Sequence, residues 1–316
     1  MINCIRYMKR SILVFGAMMY MSSLFAQQEA MFTHYMYNTL AVNPAYAGSR
    51  DALTATVLHR SQWIGFQGAP VTQTFTLHSP VYTDAINLGF SVVNDKIGPL
   101  RNTSVFVDYA FRIKLSKKSK LAFGMKVGLN YNSINLSDLN GTDPNDQLTM
   151  IKDNALDLNI GAGVYYSRDN FYAGFSTPKL FQNNYEYSDV NDKLAIEKRH
   201  YYFIMGGLIP FSNNVTLKPT ALVKITQSAP IEADMTAEFI FKNHYSLGVM
   251  YRTGDAAGFL VGISITDKLN IGYSFDCSFI NSTAKYNSGS HEIMLRYDLI
   301  DSRNHKNRSG NCFCGF

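Results

Sequence analysis

Hydrophobic and polar residues alternate at every second position along most of the chain that follows residue 50. Between Leu269 and Asp276, for example, Leu, Ile, Tyr and Phe occupy one set of positions and Asn, Gly, Ser and Asp occupy the other. Successive side chains of a β-strand point to opposite faces, so this period of two predicts strands with one apolar and one polar face. The pattern predicts about 14 strands: Leu53 to Arg60, Thr72 to Ser79, Ile86 to Val93, Thr103 to Leu115, Leu121 to Tyr131, Leu156 to Ser167, Phe171 to Thr177, Tyr201 to Ile209, Val215 to Ile225, Ile231 to Phe241, Tyr245 to Arg252, Phe259 to Ile265, Leu269 to Cys277 and His291 to Leu299.

These strands are expected to form a closed barrel in a membrane. Several of them, such as Leu121 to Tyr131, reach the roughly 9 to 11 residues that a tilted strand needs to cross the apolar layer. Only helices and closed barrels span a bilayer, and no window after residue 26 has the length and apolarity of a membrane helix. The predicted fold is therefore all-β, a transmembrane antiparallel up-and-down barrel. A soluble β-sandwich is the alternative, because it would show the same alternation and hide its apolar faces between two sheets.

The composition agrees with a sheet that faces lipid on one side. The chain has 21 Phe and 20 Tyr, whereas charged residues make up only 17% and the mean hydropathy is −0.09. Its apolar residues are thus distributed singly between polar ones, and a lipid bilayer is an expected partner. Aromatic residues stand near the ends of predicted strands, where barrels carry interfacial girdles, at Tyr109, Phe111, Tyr131, Tyr166, Phe239, Phe241, Tyr251 and Tyr297.

The lengths of the connections predict an orientation in the outer membrane. Barrels of this class have short periplasmic turns and longer outer loops. If the first strand starts from the periplasm, the even-numbered connections are periplasmic, and the short ones fall there, including residues 117–118 and 242–243. The two longest connections, Asn135 to Asn154 and Lys179 to His200, are odd-numbered and therefore outside. Both termini of the mature chain are then expected in the periplasm.

The two ends of the chain lie outside the series of strands. Residues 1–26 predict a signal peptide, with Arg6, Lys9 and Arg10 before an apolar run and Ala26 at the cleavage site. Loss of these three basic residues lowers the formal charge from +5 to +2, so charge gives no indication of nucleic acid as a partner. The expected domains are a segment at 27–51 that plugs the lumen or covers its periplasmic mouth, the barrel at 52–300, and a short periplasmic tail at 301–316.

Charged residues on the polar face are the first candidates for a site. Carboxylates of one predicted strand stand beside lysines of its neighbour and an arginine of the next: Glu232, Asp234, Glu238, Lys218, Lys224 and Arg252. Paired carboxylates can perform acid–base catalysis. Opposite charges on adjacent strands are more simply interpreted as ion pairs that hold a polar lumen together. They favour an occluded lumen over a wide pore.

No catalytic residue, cofactor or metal site is expected. The chain contains no Gly-x-Ser-x-Gly motif, P-loop or dinucleotide fingerprint. Cys312 and Cys314 are too close for an easy disulfide with each other, and Cys277 lies in a predicted strand. One outer loop supplies the oxygen ligands that calcium prefers, but without the spacing of a calcium loop, at Asp138, Asp143, Asn145, Asp146 and Asp153. A solvated acidic loop is the favoured interpretation.

Two motifs near the start of the mature chain carry a resemblance to a known family. Residues 33–48 read THYMYNTLAVNPAYAG, residues 59–73 read HRSQWIGFQGAPVTQ, and residues 94–99 read NDKIGP. They resemble the PorP/SprF family of the type IX secretion and gliding machinery of Bacteroidota, and within it the SprF side, whose members serve a particular secreted adhesin. The resemblance implies a non-enzymatic outer-membrane barrel. It also implies two partners, a large secreted surface protein with a C-terminal sorting domain and the periplasmic ring and peptidoglycan-associated components.

The motif residues are candidates for architecture or for contact with a partner. Asn43 and Pro44 predict a turn, and Gly48 permits a positive φ, so the chain can bend there into the first strand. Trp63, the single tryptophan, is interpreted equally well as an anchor at the lipid boundary or as a partner contact. The candidate binding residues are Tyr35, Asn38, Asn43, Pro44, Tyr46, Gly48, Arg60, Gln62, Trp63, Gly65, Gly68, Pro70 and Gln73.

The first functional hypothesis is an accessory barrel of type IX secretion that supports export or surface retention of one large protein. The polar, glycine-rich inner face leaves a second hypothesis, a channel for small solutes, which conductance measurements would distinguish. A third, an outer-membrane hydrolase, requires a titratable cluster at a loop mouth.

Overall fold

The computed structural model shows a closed antiparallel β-barrel whose first and last strands pair with each other. It describes residues 29–81, 84–136, 152–182, 198–227, 229–279 and 287–299, and the backbone alone at 184–186 and 193–196. The strands are β1 (Leu53–Ser61), β2 (Val71–Pro80), β3 (Ile86–Ile97), β4 (Leu100–Lys114), β5 (Ser119–Asn135), β6 (Lys152–Arg168), β7 (Phe171–Thr177), β8 (Asn184–Glu186), β9 (Lys193–Ile196), β10 (His200–Gly207), β11 (Ile209–Ser212), β12 (Val215–Thr226), β13 (Glu232–Phe241), β14 (Tyr245–Arg252), β15 (Ala256–Ser264), β16 (Leu269–Ser278) and β17 (Ser290–Leu299).

The predicted fold class and strand number are confirmed. The main sheet has 15 strands, but β10 and β11 are two halves of one barrel strand separated at Leu208, so the barrel has 14 positions. Pairing of β10 with β12 and of β1 with β17 closes the ring without a free edge. The alternative β-sandwich is excluded by this closure, since every barrel strand pairs with a neighbour on both sides.

The predicted strand boundaries differ from the structure in a few places. β3 continues to Ile97 instead of Val93, because its polar end still pairs with β2 and β4 beyond the point where the apolar alternation stops. β15 begins at Ala256 rather than Phe259. The long connection between β7 and β10 contains a short hairpin, β8 with β9, that the sequence pattern did not predict.

Alternating burial shows which side of the barrel each residue faces. On β5, Phe123, Met125, Val127 and Leu129 are exposed, whereas inward-facing positions such as Lys126 are buried. The same alternation recurs on the other barrel strands, and the exposed residues form an apolar outer surface. Such a surface suits hydrocarbon, and it places the polar face of the sheet inside. None of the helices in the described ranges is long and apolar enough to be a membrane span.

The chain before β1 lies inside the barrel. We call residues 29–51 the luminal segment; it contains a single turn of α-helix, α1 (Thr39–Val42), and a short 3-10 helix (Pro44–Tyr46). Nearly all side chains from Phe32 to Ala47 are buried. The segment has no repeated apolar period, and its conformation is irregular, as expected for a chain that packs against walls on all sides.

The luminal segment runs from one end of the barrel to the other. Glu29 lies 3.1 Å from Lys179, at the end of the barrel where β7 leads into the long connection to β10. At the opposite end, Arg50 pairs with Asp298 near the end of β17, and Asp51 pairs with Lys120 beside the short β4–β5 turn. Glu29 and Leu299 therefore lie at opposite ends of the barrel.

Several expectations concern parts of the chain outside the described residues. The signal peptide at 1–26, the tail at 301–316 and both mature termini lie there. The ends of the described chain, Glu29 and Leu299, lie at opposite ends of the barrel, and the expectation for the two termini stays a prediction.

Candidate functional site in the barrel lumen

A buried ion cluster ties the start of the luminal segment to the seam of the barrel. Arg60 of β1 lies 2.7 Å from Asp276 of β16 and 3.3 Å from Glu292 of β17. Glu292 also accepts hydrogen bonds from the backbone N–H groups of Thr33 and His34, at 2.9 and 2.7 Å, and its carboxylate lies 2.7 Å from the His34 ring. Buried charges of this kind are stabilised only when they are paired and hydrogen-bonded. The cluster fixes the segment at the point where the first and last strands meet.

The hydroxyl of Thr33 extends the same cluster. It donates to Asp276 at 2.6 Å and accepts from Arg60 at 2.8 Å, so the segment adds one hydrogen bond to each of these two charged groups. Since Arg60, Asp276 and Glu292 are each no more than 2% exposed, these contacts are shielded from water.

The six charged residues predicted to face the lumen do so, on β12, β13 and β14. Lys224 lies 2.8 Å from Glu232, and Arg252 lies 2.8 Å from Asp234. Lys218 and Glu238 are direct neighbours in the β12–β13 register. Both meet Tyr37 of the luminal segment: its hydroxyl donates to Glu238 at 2.7 Å, and the Lys218 ammonium lies 4.1 Å from the centre of its ring. The geometry is that of structural ion pairs, with the charges matched between neighbouring strands.

Tyr35 supplies another contact to this wall. Its hydroxyl donates to the Asp234 backbone carbonyl at 3.2 Å and lies 2.9 Å from the Thr220 hydroxyl. Tyr35 was predicted from its motif, but its position against β12 and β13 was not.

A third polar contact, between β5 and α1, was missed in the sequence. Lys126 donates to the backbone carbonyls of Leu40 and Ala41 at 3.1 and 3.2 Å, and it lies 3.4 Å from Asp108. These carbonyls stand at the end of a one-turn helix, where a cation is favourable. The signal that could have identified it is a lysine on the inner face of β5 that lies directly opposite Asp108 of β4.

Glycines on the inner wall provide the space in which the luminal segment lies. A methyl group added at Gly124 would collide with the backbone of Ala45, and one added at Gly163 would collide with the side chain of Asn43. The Asn43 amide also donates to the Val164 carbonyl at 3.1 Å, and its oxygen accepts from the Ala45 N–H at 3.0 Å. The absence of a side chain at these two positions therefore makes room for the backbone and side chains of the luminal segment.

Substitution at this contact should release the luminal segment. Gly163→Leu is expected to destabilise the barrel by about 1–3 kcal/mol, since overpacking displaces Asn43. Ala162→Leu is the matched control, because Ala162 is the adjacent residue on the outward face of β6. Urea unfolding in detergent and limited proteolysis of the segment measure both variants. Equal stability and equal protection in the two variants would show that the glycine does not hold the segment.

The part of the lumen beside Glu29 is not filled. A cavity of about 390 Å³ lies between the luminal segment and the walls formed by β3 to β5 and β10. The apolar residues that line this cavity are Phe32 and Val42 of the segment, together with Val93, Phe106 and Tyr202 of the wall. It reaches the rim of the barrel at Ile97, Leu100 and Arg101, which are exposed. This is the end of the barrel that carries the long connections.

A carboxylate of the luminal segment is held in charged form at this cavity. Burial opposes ionisation of Glu29, but Lys179, His200 and the Tyr202 hydroxyl outweigh burial and lower the pKa of the Glu29 carboxyl to about 2. Tyr202 donates to it at 3.1 Å. Glu29 is therefore negatively charged at neutral pH and fixes the first described residues to the wall.

The family model for type IX secretion system membrane protein PorP/SprF matches residues 24–297. The chain belongs to the PorP/SprF family. It is an outer-membrane β-barrel of the type IX system. No protein with a curated description matches the chain.

The chain is similar to several solved outer-membrane proteins. The chain is similar to a Pseudomonas aeruginosa FadL homologue, at 11% identity and a TM-score of 0.47, over 82% of this chain and 93% of the other. It is similar to the monoaromatic hydrocarbon channel CymD, at 10% identity and a TM-score of 0.47, over 87% and 94%. Omp33 of Acinetobacter baumannii matches at 11% identity and a TM-score of 0.43, over 79% and 99%.

The PorP/SprF motif residues divide between the lumen and the end of the barrel with the long connections. Seven of them face the interior: Tyr35, Asn38, Asn43, Pro44, Tyr46, Gly48 and Arg60. Asn38 donates to Thr74 of β2 at 3.0 Å. Gly48 has a φ of +67°, and its N–H donates to His78 at 3.1 Å, which sets the bend before β1. These residues position the PorP/SprF luminal segment.

The remaining motif residues form the β1–β2 loop and its base. Gln62 donates through its backbone to Pro70 at 2.9 Å, and the Gly68 carbonyl accepts from Gly98 of the β3–β4 turn at 2.9 Å. Trp63 is half-buried, and its backbone N–H donates to the Ser290 hydroxyl at 3.3 Å. Gly65 has a positive φ of 92°, and Gln73 points outward from β2. The structure places Trp63 at the rim, a position compatible with both of its interpretations.

No group of three potential metal ligands occurs among the described residues of this PorP/SprF protein. Asp153 is the second residue of β6. The other candidates lie outside the described part of the chain: Asp138, Asp143, Asn145, Asp146, Cys312 and Cys314. Cys277 is exposed and forms no disulfide.

Proposed function

We propose that the protein is a non-enzymatic accessory barrel of type IX secretion that supports export or surface retention of one large surface protein. The observation that carries the proposal is the luminal segment, which extends through the barrel from Glu29 to Asp51. Ion pairs and hydrogen bonds from β1, β5, β12, β13, β16 and β17 hold the luminal segment in place. A barrel filled in this way suits binding at its two ends better than diffusion of solutes through its centre.

The two ends are proposed to serve different partners. The end with short turns faces the periplasm, following the rule for outer-membrane barrels. The tail at 301–316 follows β17 at that end and would contact the periplasmic ring and peptidoglycan-associated components. The opposite end, with the β1–β2 loop and the long connections, would contact a surface protein that carries a type IX C-terminal sorting domain. Glu29, the first described residue, then lies toward the cell surface.

The proposal predicts a selective defect. Deletion of the gene should remove one large protein from the cell surface and leave the other type IX substrates in place. Quantitative mass spectrometry of surface-shaved cells, with a complemented strain as the control, measures this. A surface proteome unchanged by the deletion, or a loss of all type IX substrates alike, would contradict the proposal.

The alternative function, a channel for small solutes, requires the luminal segment to leave its contacts. The Glu292, Glu238 and Lys126 contacts would then lose their partners in the segment.

A further inference from the structure

The cavity beside Glu29 is a chemical environment that the luminal segment does not use. Its walls are largely apolar, with Phe32, Val42, Phe106 and Tyr202 around it. A concave, apolar space of this size with a few polar groups is the usual form of a binding site.

Positive charge predominates around the cavity. Two carboxylates line it, Glu29 and Asp95. Four cationic residues also line it, so the formal charge of the lining is +2 with histidine neutral: Arg101, Lys126, Lys179 and Lys198. Glu29 is paired with Lys179, and Asp95 accepts a hydrogen bond from Thr72 at 2.6 Å. Two of the cations have no acidic partner within the described ranges, Arg101 and Lys198. The cavity thus offers positive charge to an incoming group.

A buried nitrogen of His200 also indicates that the cavity can hold a ligand. His200 is 3% exposed and lines the cavity, and its Nδ1 has no hydrogen-bond partner in the described part of the chain. Buried polar atoms are normally satisfied, so an unpaired one at a cavity wall indicates a ligand position.

The luminal segment shows what kind of molecule this lumen holds. It is a polypeptide whose apolar side chains pack on the wall while its polar groups pair with wall charges. The cavity lies beside the segment, which forms part of its wall at Phe32 and Val42, and it reaches the rim at Arg101. A second short stretch of polypeptide would find the same two kinds of contact there.

We propose that this cavity receives a short segment of the exported surface protein, in which apolar side chains stand beside a carboxylate. The apolar side chains would pack between Phe32 and Phe106, and the carboxylate would pair with Arg101 and Lys198. This inference rests on the proposed function and names the place where the partner is held. It makes the first described residues of the luminal segment part of the binding site.

Two kinds of variant test the site in cells that express the full chain. Arg101→Glu combined with Lys198→Glu reverses the charge, and Val93→Trp fills the cavity from the β3 wall. Lys152→Glu is the matched control, because Lys152 is exposed at the same end of the barrel and does not line the cavity. The measurement is the amount of the surface protein that gene deletion removes, relative to the amount of folded barrel on a heat-modifiability gel.

Both cavity variants should lower the retained surface protein about tenfold, equivalent to about 1.4 kcal/mol of binding free energy. Lys152→Glu should retain it at the wild-type level. If deletion removes the surface protein but folded cavity variants keep it, the cavity inference is overturned and the proposed function stands. If deletion itself changes nothing, both are overturned. Val93→Trp keeps the test decisive should the double charge reversal fail to fold.

Discussion

Replacement of residues 30–47 by a Gly/Ser linker of equal length should turn the closed barrel into an open channel. The luminal segment occupies the interior along its whole length, from Glu29 to Asp51. Without its side chains, the inner wall would present glycine and charged groups to water, as the walls of wider barrels do. Planar-bilayer recordings should show resolved open-channel steps for the variant and none for the intact protein.

The linker variant needs evidence of folding before its conductance is interpreted. Heat-modifiable migration and strand content by circular dichroism supply it. Trp63→Ala in the otherwise intact chain is the control, since it alters the rim and leaves the segment in place. A folded linker variant without conductance would show that other parts of the chain close the lumen, and steady conductance of the intact protein would favour the solute-channel hypothesis.

Glu292→Ala should be the most destabilising single substitution. It removes the acceptor of the Thr33 and His34 N–H groups and one carboxylate beside Arg60, all of them buried. Removal of one partner from a buried charged cluster costs about 3–5 kcal/mol. The midpoint of urea unfolding in detergent micelles should fall accordingly, and the first residues of the luminal segment should become sensitive to protease.

Two further variants define the origin of that loss. Glu292→Gln keeps the shape of the side chain and one acceptor oxygen, so its loss of stability should be smaller than that of the alanine variant. Asp267→Ala removes an exposed carboxylate from the β15–β16 turn and should change stability by no more than about 0.5 kcal/mol. If Glu292→Ala is as stable as Asp267→Ala, the cluster does not anchor the segment.

The barrel itself could be predicted because each strand carries its own signal. Alternation along β12, β13 and β14 gave both the strands and the inward direction of their charges. Neighbouring strands pair in sequence order, so the opposition of Asp234 to Arg252 and of Lys224 to Glu232 followed from short-range register. Strand ends were less accurate, as at Ile97, because pairing of backbone groups continues after the apolar pattern stops.

The luminal segment could not be predicted in the same way. It has no period, and its partners are remote in the sequence: Thr33 and Glu292 are 259 positions apart. The Lys218 prediction shows the same limit, since its neighbour Glu238 was expected but the Tyr37 ring between them was not. Contacts between the luminal segment and the barrel form only when all the strands have paired. The local alternation of hydrophobic and polar residues therefore does not predict them.

The seam between β1 and β17 has a consequence for biogenesis. β17 is the last strand of the barrel to be synthesised, yet its Glu292 accepts hydrogen bonds from Thr33 and His34, which are synthesised before every strand. The barrel closes by pairing of β17 with β1, and the same strand anchors the luminal segment. A product truncated before β17 would therefore have neither a closed barrel nor an anchored luminal segment. Closure of the ring and anchoring of the luminal segment therefore depend on the same strand.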